Sequence, residues 1–435
     1  MVASINIALP VIGKEFGMNA ILLSWIPTSY LLAAAMFLIP FGKVADIYGQ
    51  KKIFTIGMIV YTISSFLSAI AFSSTSLIIF RILQGIGAAM IFGTSTAILT
   101  SVFPLGEKGK ALGINVAAVY TGLSLGPFLG GLLTQQLGWR SIFWLNSILG
   151  LLTIILTLAE LKGEWNEAKG EKFDIAGSML YSLSLLLIMY GFTLLPAKTG
   201  FILIIIGGIG IFVLLGSEQK IPNPIIDIKL FKDNIPFAFS NLAALINYSA
   251  TSATGFLLSL YLQYIKGLNP QAAGLVLVSQ PIMQTIFSPF AGRLSDKFEP
   301  RIIASIGMGL TVIGLIILAF INSGTSLAII IFDLILLGIG FGLFSSPNVN
   351  AVMKSVEKKL YGIAASTVAT MRLIGQMLSL GIVMLIFSII IGRVSIAPVH
   401  YPLFIKSARI LFAIFGFLCL TGIWASLARG NVHKN

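Results

Sequence analysis

Three ionisable side chains lie inside long apolar stretches of this 435-residue sequence: Arg81, Asp333 and Arg372. A carboxyl group in such surroundings can bind and release a proton, because burial disfavours its charge and a nearby arginine favours it. If Asp333 and Arg372 approach in one state and separate in another, the carboxyl exchanges a proton with each change. A static ion pair that holds two helices together is the alternative, and the sequence leaves both open.

Arg81 opens the segment R-I-L-Q-G-I-G, which ends at Gly87. An arginine inside an apolar span costs at least about 2.5 kcal/mol, which indicates a functional role. It is also only about 6 Å from the end of its span, so its long side chain could reach the polar edge instead. The glycines that follow predict close packing against another helix.

The composition explains why so few groups could do chemistry. Hydrophobic residues make up 57% of the chain and charged residues 10%, with a mean hydropathy of +0.99. Soluble domains carry about 25% charged residues, so a water-soluble fold is excluded. One cysteine and two histidines allow neither an internal disulfide nor a His/Cys metal cluster. We therefore predict no metal, no cofactor and no enzyme activity.

Fourteen apolar runs are candidate membrane spans, and a complete span takes about 20 residues. The first covers only residues 1–12, about 18 Å of helix, so we expect the native helix to begin upstream of Met1. It lacks a basic n-region and is not interpreted as a signal peptide. Spans 2 to 14 are predicted at 21–41, 53–72, 77–103, 111–137, 142–161, 175–195, 201–216, 235–264, 272–291, 302–321, 327–344, 362–391 and 410–427.

The charges predict the orientation. Nineteen of the 28 Lys and Arg residues lie in the loops after even-numbered spans and in the C-terminal tail, whereas seven lie in the other loops. The positive-inside rule then places both termini in the cytoplasm of a multi-pass plasma-membrane protein. The net charge of +13 is therefore a topology signal, and no nucleic-acid partner is expected.

An internal repeat divides the chain. The loop Gly42-Lys43-Val44-Ala45-Asp46-Ile47-Tyr48 recurs as Gly292-Arg293-Leu294-Ser295-Asp296-Lys297-Phe298, and Gly85-Ile86-Gly87 recurs as Gly338-Ile339-Gly340. We predict an N-terminal six-helix half (1–161), an inserted helix pair (175–216) and a C-terminal six-helix half (235–427). Two such halves around a midplane site are typical of alternating-access transporters.

Two further motifs could gate such a molecule. The loop 42–52 reads G-K-x-x-D-x-x-G-Q-K-K, and its charges either form a latch or only fix topology. Span 5 carries G-L-S-L-G-P-F-L-G-G over 122–131, which predicts either a hinge or an ordinary kinked packing helix. The gating candidates are Gly42, Asp46, Gly49, Lys51, Lys52, Asp296, Gly122, Gly126, Pro127, Gly130 and Gly131.

Three motifs, taken in chain order, resemble those of the major facilitator superfamily, in its fourteen-span drug:proton antiporter branch. They are the motif after span 2, R-x-x-Q-G at Arg81, and G-x-x-x-G-P-x-x-G-G in span 5. The resemblance covers essentially the whole chain. It implies an all-α integral membrane fold of two six-helix halves plus two inserted helices. Many members carry an acidic residue near the start of helix 1, and the corresponding stretch here is missing or begins at Met1.

In this fold, spans 1, 4, 9 and 12 would line the substrate cavity. An apolar cavity with aromatic rings and scattered amides suits amphiphilic ligands. The candidate substrate-binding residues, including two on span 10, are Asn6, Gln84, Asn241, Asn247, Tyr248, Gln280 and Gln284.

These observations predict a monomeric transporter in the lipid bilayer that exports small amphiphilic or drug-like compounds in exchange for protons. Export of a specific metabolite, such as an amino acid or sugar derivative, is the first alternative. A non-transporting membrane receptor is the second, although the loops are too short for a signalling domain.

Overall fold

The computed structural model describes residues 2–104, 107–166, 168–219, 221, 224–225, 228–357 and 360–431. The fold is all-α, as predicted. The helices are α1 (Val2–Glu15), α2 (Ala20–Tyr48), α3 (Gln50–Ala69), α4 (Ser74–Val102), α5 (Lys108–Leu137), α6 (Arg140–Glu160), α7 (Ile175–Leu194), α8 (Lys198–Ser217), α9 (Ile228–Lys232), α10 (Ile235–Thr251), α11 (Thr254–Leu260), α12 (Pro270–Leu277), α13 (Ser279–Lys297), α14 (Pro300–Ala319), α15 (Leu327–Lys354), α16 (Tyr361–Ile390) and α17 (Tyr401–Ala428).

Each predicted span corresponds to one helix or to consecutive helices. Spans 1 to 8 are α1 to α8, and spans 11 to 14 are α14 to α17. Span 9 is divided into α10, α11 and a π-helical turn (Tyr261–Ile265), and span 10 into α12 and α13. Among the described residues, ten helices are long and apolar enough to cross a membrane, so the count of fourteen stays a prediction.

The chain forms two compact units that cut across the predicted halves. Unit 1 comprises residues 1–24, 117–139 and 230–435, and unit 2 comprises residues 25–116 and 140–229. Within unit 2, α3 packs against α4 and α6, and the inserted pair α7 and α8 pack together. Within unit 1, α14 packs against α15 and α17, and α10 packs against α16 and α17. The predicted domain boundaries remain a prediction.

The internal repeat recurs in how the helices pack. In unit 2, a Cβ on Gly87 of α4 would lie 2.8 Å from the carbonyl oxygen of Gly57 in α3. In unit 1, a Cβ on Gly340 of α15 would lie 2.7 Å from the carbonyl oxygen of Gly307 in α14. Two backbones therefore touch at corresponding places, where only glycine fits.

A second contact follows the same rule. A Cβ on Gly85 would meet the Tyr30 carbonyl oxygen of α2 at 2.4 Å, and one on Gly338 would meet the Gln280 carbonyl oxygen of α13 at 2.3 Å. The spacing between the paired residues is close to 250 in every case. The glycines of the two G-I-G segments are thus packing residues in both units.

The prediction that both repeated motifs are loops is wrong for most of each motif. α2 continues through Gly42 and Asp46 to Tyr48, and α13 continues to Lys297, so both motifs are largely helical. The reversal after α2 is made by one residue, Gly49, whose φ is +119°. Only glycine adopts that backbone conformation readily, which explains this glycine but not Gly42.

Candidate functional site

Arg81 lies at the centre of a polar cluster within unit 2. Its side chain is fully buried, so the interpretation that it reaches the polar edge of the membrane is wrong. The Nε donates to the Ile26 carbonyl oxygen at 3.2 Å, and the guanidinium lies 4.4 Å from the centre of the Tyr30 ring. A carbonyl dipole and a ring face thus stabilise the buried cation.

Gln84 belongs to the same cluster. Its Oε1 accepts from Arg81 Nη1, and its Nε2 donates to Ser65 Oγ at 2.6 Å. The Gln84 side chain is fully buried, and its amide is occupied by protein groups. The structure therefore places this substrate-binding candidate in the contact between α3 and α4, where it orients Arg81.

Asp333 is a fully buried carboxylic acid on α15 in unit 1. Neither carboxylate oxygen has a hydrogen-bond partner among the residues that the structure describes. The carboxyl faces α14, because a Cβ on Gly314 would lie 3.1 Å from Asp333 Oδ1. An ionised carboxylate without partners is very costly in such a place, and proton binding removes that cost.

The predicted pair between Asp333 and Arg372 is not formed in this structure. Arg372 lies on α16, is partly exposed, and makes no ion pair within the described part of the chain. A similar depth along two helices does not bring two side chains together unless they also face each other, and Asp333 faces α14 instead. The static-pair interpretation is therefore not supported.

Helix α1 contains a built-in gap in its backbone hydrogen bonds. Pro10 has no N–H, so the Asn6 carbonyl oxygen four residues earlier lacks its helical donor. The Ser259 hydroxyl of α11 fills the gap and donates to that oxygen at 2.6 Å. Gln263 Nε2, in the π-helical turn, donates to the neighbouring Ile7 carbonyl oxygen at 2.9 Å.

A second helix interruption lies at residues 252–253, between α10 and α11. The Ala253 N–H donates to Ser379 Oγ of α16 at 3.0 Å. Close by, Asn6 Nδ2 lies 3.9 Å from the Cβ position of Gly255, and Asn6 Oδ1 is buried without a partner among the described residues. Interrupted helices at membrane depth are a common setting for substrate and ion sites.

The remaining amide and aromatic candidates divide by exposure. Asn6, Tyr248 and Gln280 are partly exposed within unit 1. Asn241 and Asn247 are fully buried, and Gln284 is buried on the face of α13 that packs against α15. Asn247 Oδ1 lies 3.9 Å from Cys419 Sγ of α17, which shows that it points into the helix packing.

The charged motif around Gly49 is bound by a segment that sequence reasoning missed. The Glu164 carboxylate accepts from the backbone N–H groups of Lys51 at 2.8 Å and Lys52 at 3.2 Å, at the start of α3. Lys43 forms an ion pair with Glu171 at 2.6 Å. The residues between α6 and α7 therefore hold the turn between α2 and α3, and a carboxylate at a helix N-terminus is well placed electrostatically.

Asp46 and Asp296 occupy corresponding positions and make different bonds. Asp46 accepts from Gln50 Nε2 in the first turn of α3. Asp296 accepts from Asn350 Nδ2 at 3.1 Å and forms an ion pair with Lys354 at 3.3 Å. Both join the end of one helix to its neighbour within a unit.

The glycine face of α5 contacts two helices of unit 1. A Cβ on Gly130 would lie 2.6 Å from Ser4 Cα of α1, and one on Gly131 would lie 2.5 Å from the Pro270 carbonyl oxygen of α12. The Ser4 hydroxyl donates to the Gly126 carbonyl oxygen at 2.8 Å, and the Pro127 carbonyl oxygen lies close to Gly274. Gly122 faces open space, so it has no packing role here.

Arg429 is a buried residue that the charge count had placed in a solvated tail. It is fully buried at the end of α17. Its Nη1 donates to Asn348 Oδ1 of α15 at 2.9 Å and Ser240 Oγ of α10 at 3.3 Å, and its Nη2 donates to Ser426 Oγ at 3.3 Å. Burial lowers the pKa of Arg429 to about 10, so the guanidinium stays charged at neutral pH.

Ten helices long and apolar enough to cross a membrane among the described residues, and a packing pattern that recurs within each unit, define the class of multi-pass membrane proteins. The model of the Major Facilitator Superfamily matches residues 1–217 and 241–434, and the chain belongs to this family. It is therefore a transporter and not an enzyme.

The relatives and structural neighbours agree with this assignment. The chain is 33% identical over 371 residues to the riboflavin transporter RibZ of Clostridioides difficile, covering 85% of this chain and 80% of that protein. It is 30% identical over 378 residues to the multidrug resistance protein Stp of Mycobacterium tuberculosis, covering 86% and 70%. The inward-facing, unoccupied structure of a bacterial homologue of the human lysosomal transporter Spinster matches with a TM-score of 0.70 and 16% identity, over 98% of this chain and 93% of that one.

Proposed function

We propose that this transporter exports small amphiphilic or drug-like compounds across the plasma membrane in exchange for protons, as a monomer of the fourteen-span drug:proton antiporter branch. The similarity to Stp supports the substrate class. The observation that carries the coupling is Asp333, the buried carboxyl without a partner among the described residues. Protons enter and leave at this group as its surroundings alternate between apolar and polar.

Arg81 and Arg372 complete the proposed coupling set. Arg81 holds a fixed charge in unit 2 through Gln84, Tyr30 and the Ile26 carbonyl oxygen. Arg372 is partly exposed, and an arginine side chain is long enough to reach a carboxyl on a neighbouring helix after a modest rotation. In that second state Arg372 would favour the ionised form of Asp333 and release its proton.

For substrate contact, the partly exposed Asn6, Tyr248 and Gln280 are the strongest candidates. Gln84, Asn241, Asn247 and Gln284 act behind them by fixing the helices. Three sets of contacts are the proposed gates, which would open and close between states. They are the contacts of the turn around Asp46, Gly49, Lys51 and Lys52, the contact of Asp296, and the contacts of the glycine face of α5.

The test uses purified protein in liposomes with an imposed pH gradient and a panel of lipophilic cations and neutral drugs. Asp333→Asn is expected to lower gradient-driven uptake at least tenfold, while exchange of labelled for unlabelled substrate without a gradient continues. Retained exchange shows that the variant is folded and binds substrate. Phe332→Leu is the matched control, because Phe332 is an exposed neighbour on the same helix.

Gradient-driven uptake at the wild-type rate in Asp333→Asn would contradict the coupling role.

A second substrate class, a planar metabolite of the riboflavin type, is favoured by the similarity to RibZ. Riboflavin therefore belongs in the panel. Transport of riboflavin with no movement of the lipophilic compounds would favour the metabolite transporter over the drug exporter.

A further inference from the structure

A cavity of about 980 Å³ lies in unit 1, where the C-terminal end of α14 meets the N-terminal end of α17. Ile405, Ile410 and Ala413 line it with apolar surface, and Lys406 and Arg409 contribute two positive charges. No acidic residue is among the described residues that line it. The cavity thus combines an apolar wall with an excess of positive charge.

Neither cation is neutralised by the protein. Arg409 donates through Nε to the Ala319 carbonyl oxygen at 3.2 Å, a bond to a neutral group. Lys406 is exposed and has no ion-pair or hydrogen-bond partner within the described part of the chain. On the face predicted to be external, Glu15 is the one acidic loop residue in the sequence, and its carboxylate accepts from Trp139 Nε1 at 2.7 Å.

The length of α14 indicates that the cavity lies at the level where lipid headgroups begin. α14 has 20 residues, about 30 Å, which matches the thickness of the hydrocarbon core. Ala319 ends this helix, so the bonded Arg409 lies close to the boundary of the membrane. Ile316 and Phe320 are exposed at the same end, as expected for residues that face lipid.

We propose that this cavity binds an anionic phospholipid, with its phosphate between Lys406 and Arg409 and an acyl chain along Ile405, Ile410 and Ala413. The arginine fork and the lysine ammonium both suit a phosphate oxygen. Charge complementarity selects an anionic headgroup over a zwitterionic one, and the apolar wall selects a lipid over a soluble anion. This site is independent of the proposed transport mechanism.

The test is a titration of the purified protein with phosphatidylglycerol and with phosphatidylcholine of the same acyl chains, read by native mass spectrometry. The double variant Lys406→Gln/Arg409→Gln is expected to raise the half-saturating phosphatidylglycerol concentration at least tenfold and to leave phosphatidylcholine binding unchanged. Lys198→Gln/Lys297→Gln removes the same charge from exposed positions outside the cavity and is expected to bind like the wild type.

Equal phosphatidylglycerol binding by the wild type and the cavity variant would overturn the proposal. Displacement of the lipid by sn-glycerol 3-phosphate, with the same dependence on Lys406 and Arg409, would also overturn it in favour of a soluble-anion site. If the double variant does not fold, Lys406→Gln alone supplies the test, because its side chain is exposed. About a threefold loss of phosphatidylglycerol affinity is then expected, and no loss counts against the site.

Discussion

At the scale of single residues, Arg81 shows how a buried cation can be held by neutral groups. The planar guanidinium can donate along several directions at once and stack on an aromatic ring, which an ammonium cannot reproduce. In this cluster it uses both properties, toward Ile26 and Gln84 and over Tyr30. The shape of the side chain therefore matters as much as its charge.

The first prediction concerns this shape. Arg81→Lys keeps the charge but loses the fork and the stacking, so the free energy of unfolding should fall by about 1–3 kcal/mol. Thermal unfolding of the purified protein in detergent measures the change. Ile82→Val at the exposed neighbouring position is the control. A lysine variant as stable as the wild type would show that charge alone suffices.

The second prediction separates two glycines of one motif. Gly42 is helical, and a Cβ there would meet nothing within 4 Å, so Gly42→Ala should fold normally and gain up to about 1 kcal/mol of stability. Gly49 has a φ of +119°, and a Cβ there would lie 2.5 Å from the Glu164 carboxyl carbon. Gly49→Ala should therefore be clearly destabilised in the same unfolding assay. The opposite order would contradict the conformations described for both glycines.

The sequence was informative about which residues matter and less so about what they touch. The lengths of the apolar runs singled out Arg81, Asp333 and Arg372 as charges inside spans; Arg81 and Asp333 are fully buried, whereas Arg372 is partly exposed. The absence of an Asp333–Arg372 pair depends on the rotation of α15 about its axis, which spacing along the chain does not fix. The Asn6 carbonyl that Pro10 leaves without a helical donor was not predicted, and nothing local to α1 could name Ser259 as its donor.

At the scale of helices, the repeat preserves backbone contacts while the side chains differ. The Gly57–Gly87 and Gly307–Gly340 contacts correspond, whereas the positions that correspond to Arg81 and Gln84 in the second copy are Leu334 and Leu337. Close approach of two helices requires the absence of a side chain at these points. The chemistry at neighbouring positions is free to change.

The third prediction tests this packing. A Cβ at Gly340 would lie 2.7 Å from the Gly307 carbonyl oxygen, so Gly340→Ala should destabilise the protein by about 1–3 kcal/mol. Gly309→Ala on α14 is the matched control, because a Cβ there meets nothing within 4 Å. Both variants are compared by thermal unfolding. Equal stability of the two would contradict the close contact between α14 and α15.

The fourth prediction concerns the helix ends joined by Arg429. Arg429→Gln leaves the buried oxygens of Asn348 and Ser240 without their donor, so the unfolding free energy should fall by about 1–3 kcal/mol. Because the pKa of Arg429 is about 10, the loss should be the same from about pH 6 to 9. Lys297→Gln at an exposed position is the control. A loss that vanished within this range would argue against a charged guanidinium.

At the scale of the whole molecule, the distribution of charge predicts the orientation in the membrane. The fifth prediction uses single cysteines at exposed lysines: Lys198→Cys should react with a membrane-impermeant thiol reagent in intact cells, and Lys297→Cys only after the membrane is opened. The native Cys419 is buried and gives little background. Labelling of both variants in intact cells would contradict the proposed topology.

Most of the architecture was predictable from hydropathy, since every predicted span coincides with helix. The interruptions of spans 9 and 10 were not predictable, because α10 and α11 are parted at a position where Ser379, more than a hundred residues away, supplies the acceptor. The helical continuation of α2 through Gly42 was missed because a glycine–lysine motif is typical of a loop. Local signals fix where the chain is apolar, and distant partners decide where a helix is interrupted.

The gap in α1 has a consequence for motion. In an unbroken helix, a side chain from another helix must compete with a backbone N–H for each carbonyl, but at Asn6 that competitor is missing because of Pro10. The Ser259 hydroxyl can therefore detach from and return to the Asn6 carbonyl without unwinding either helix. Ser259 is fully buried, so breaking this bond leaves its hydroxyl and the Asn6 carbonyl oxygen without partners at a cost of about 1–3 kcal/mol, and a shift of α1 along α11 requires another donor to take its place.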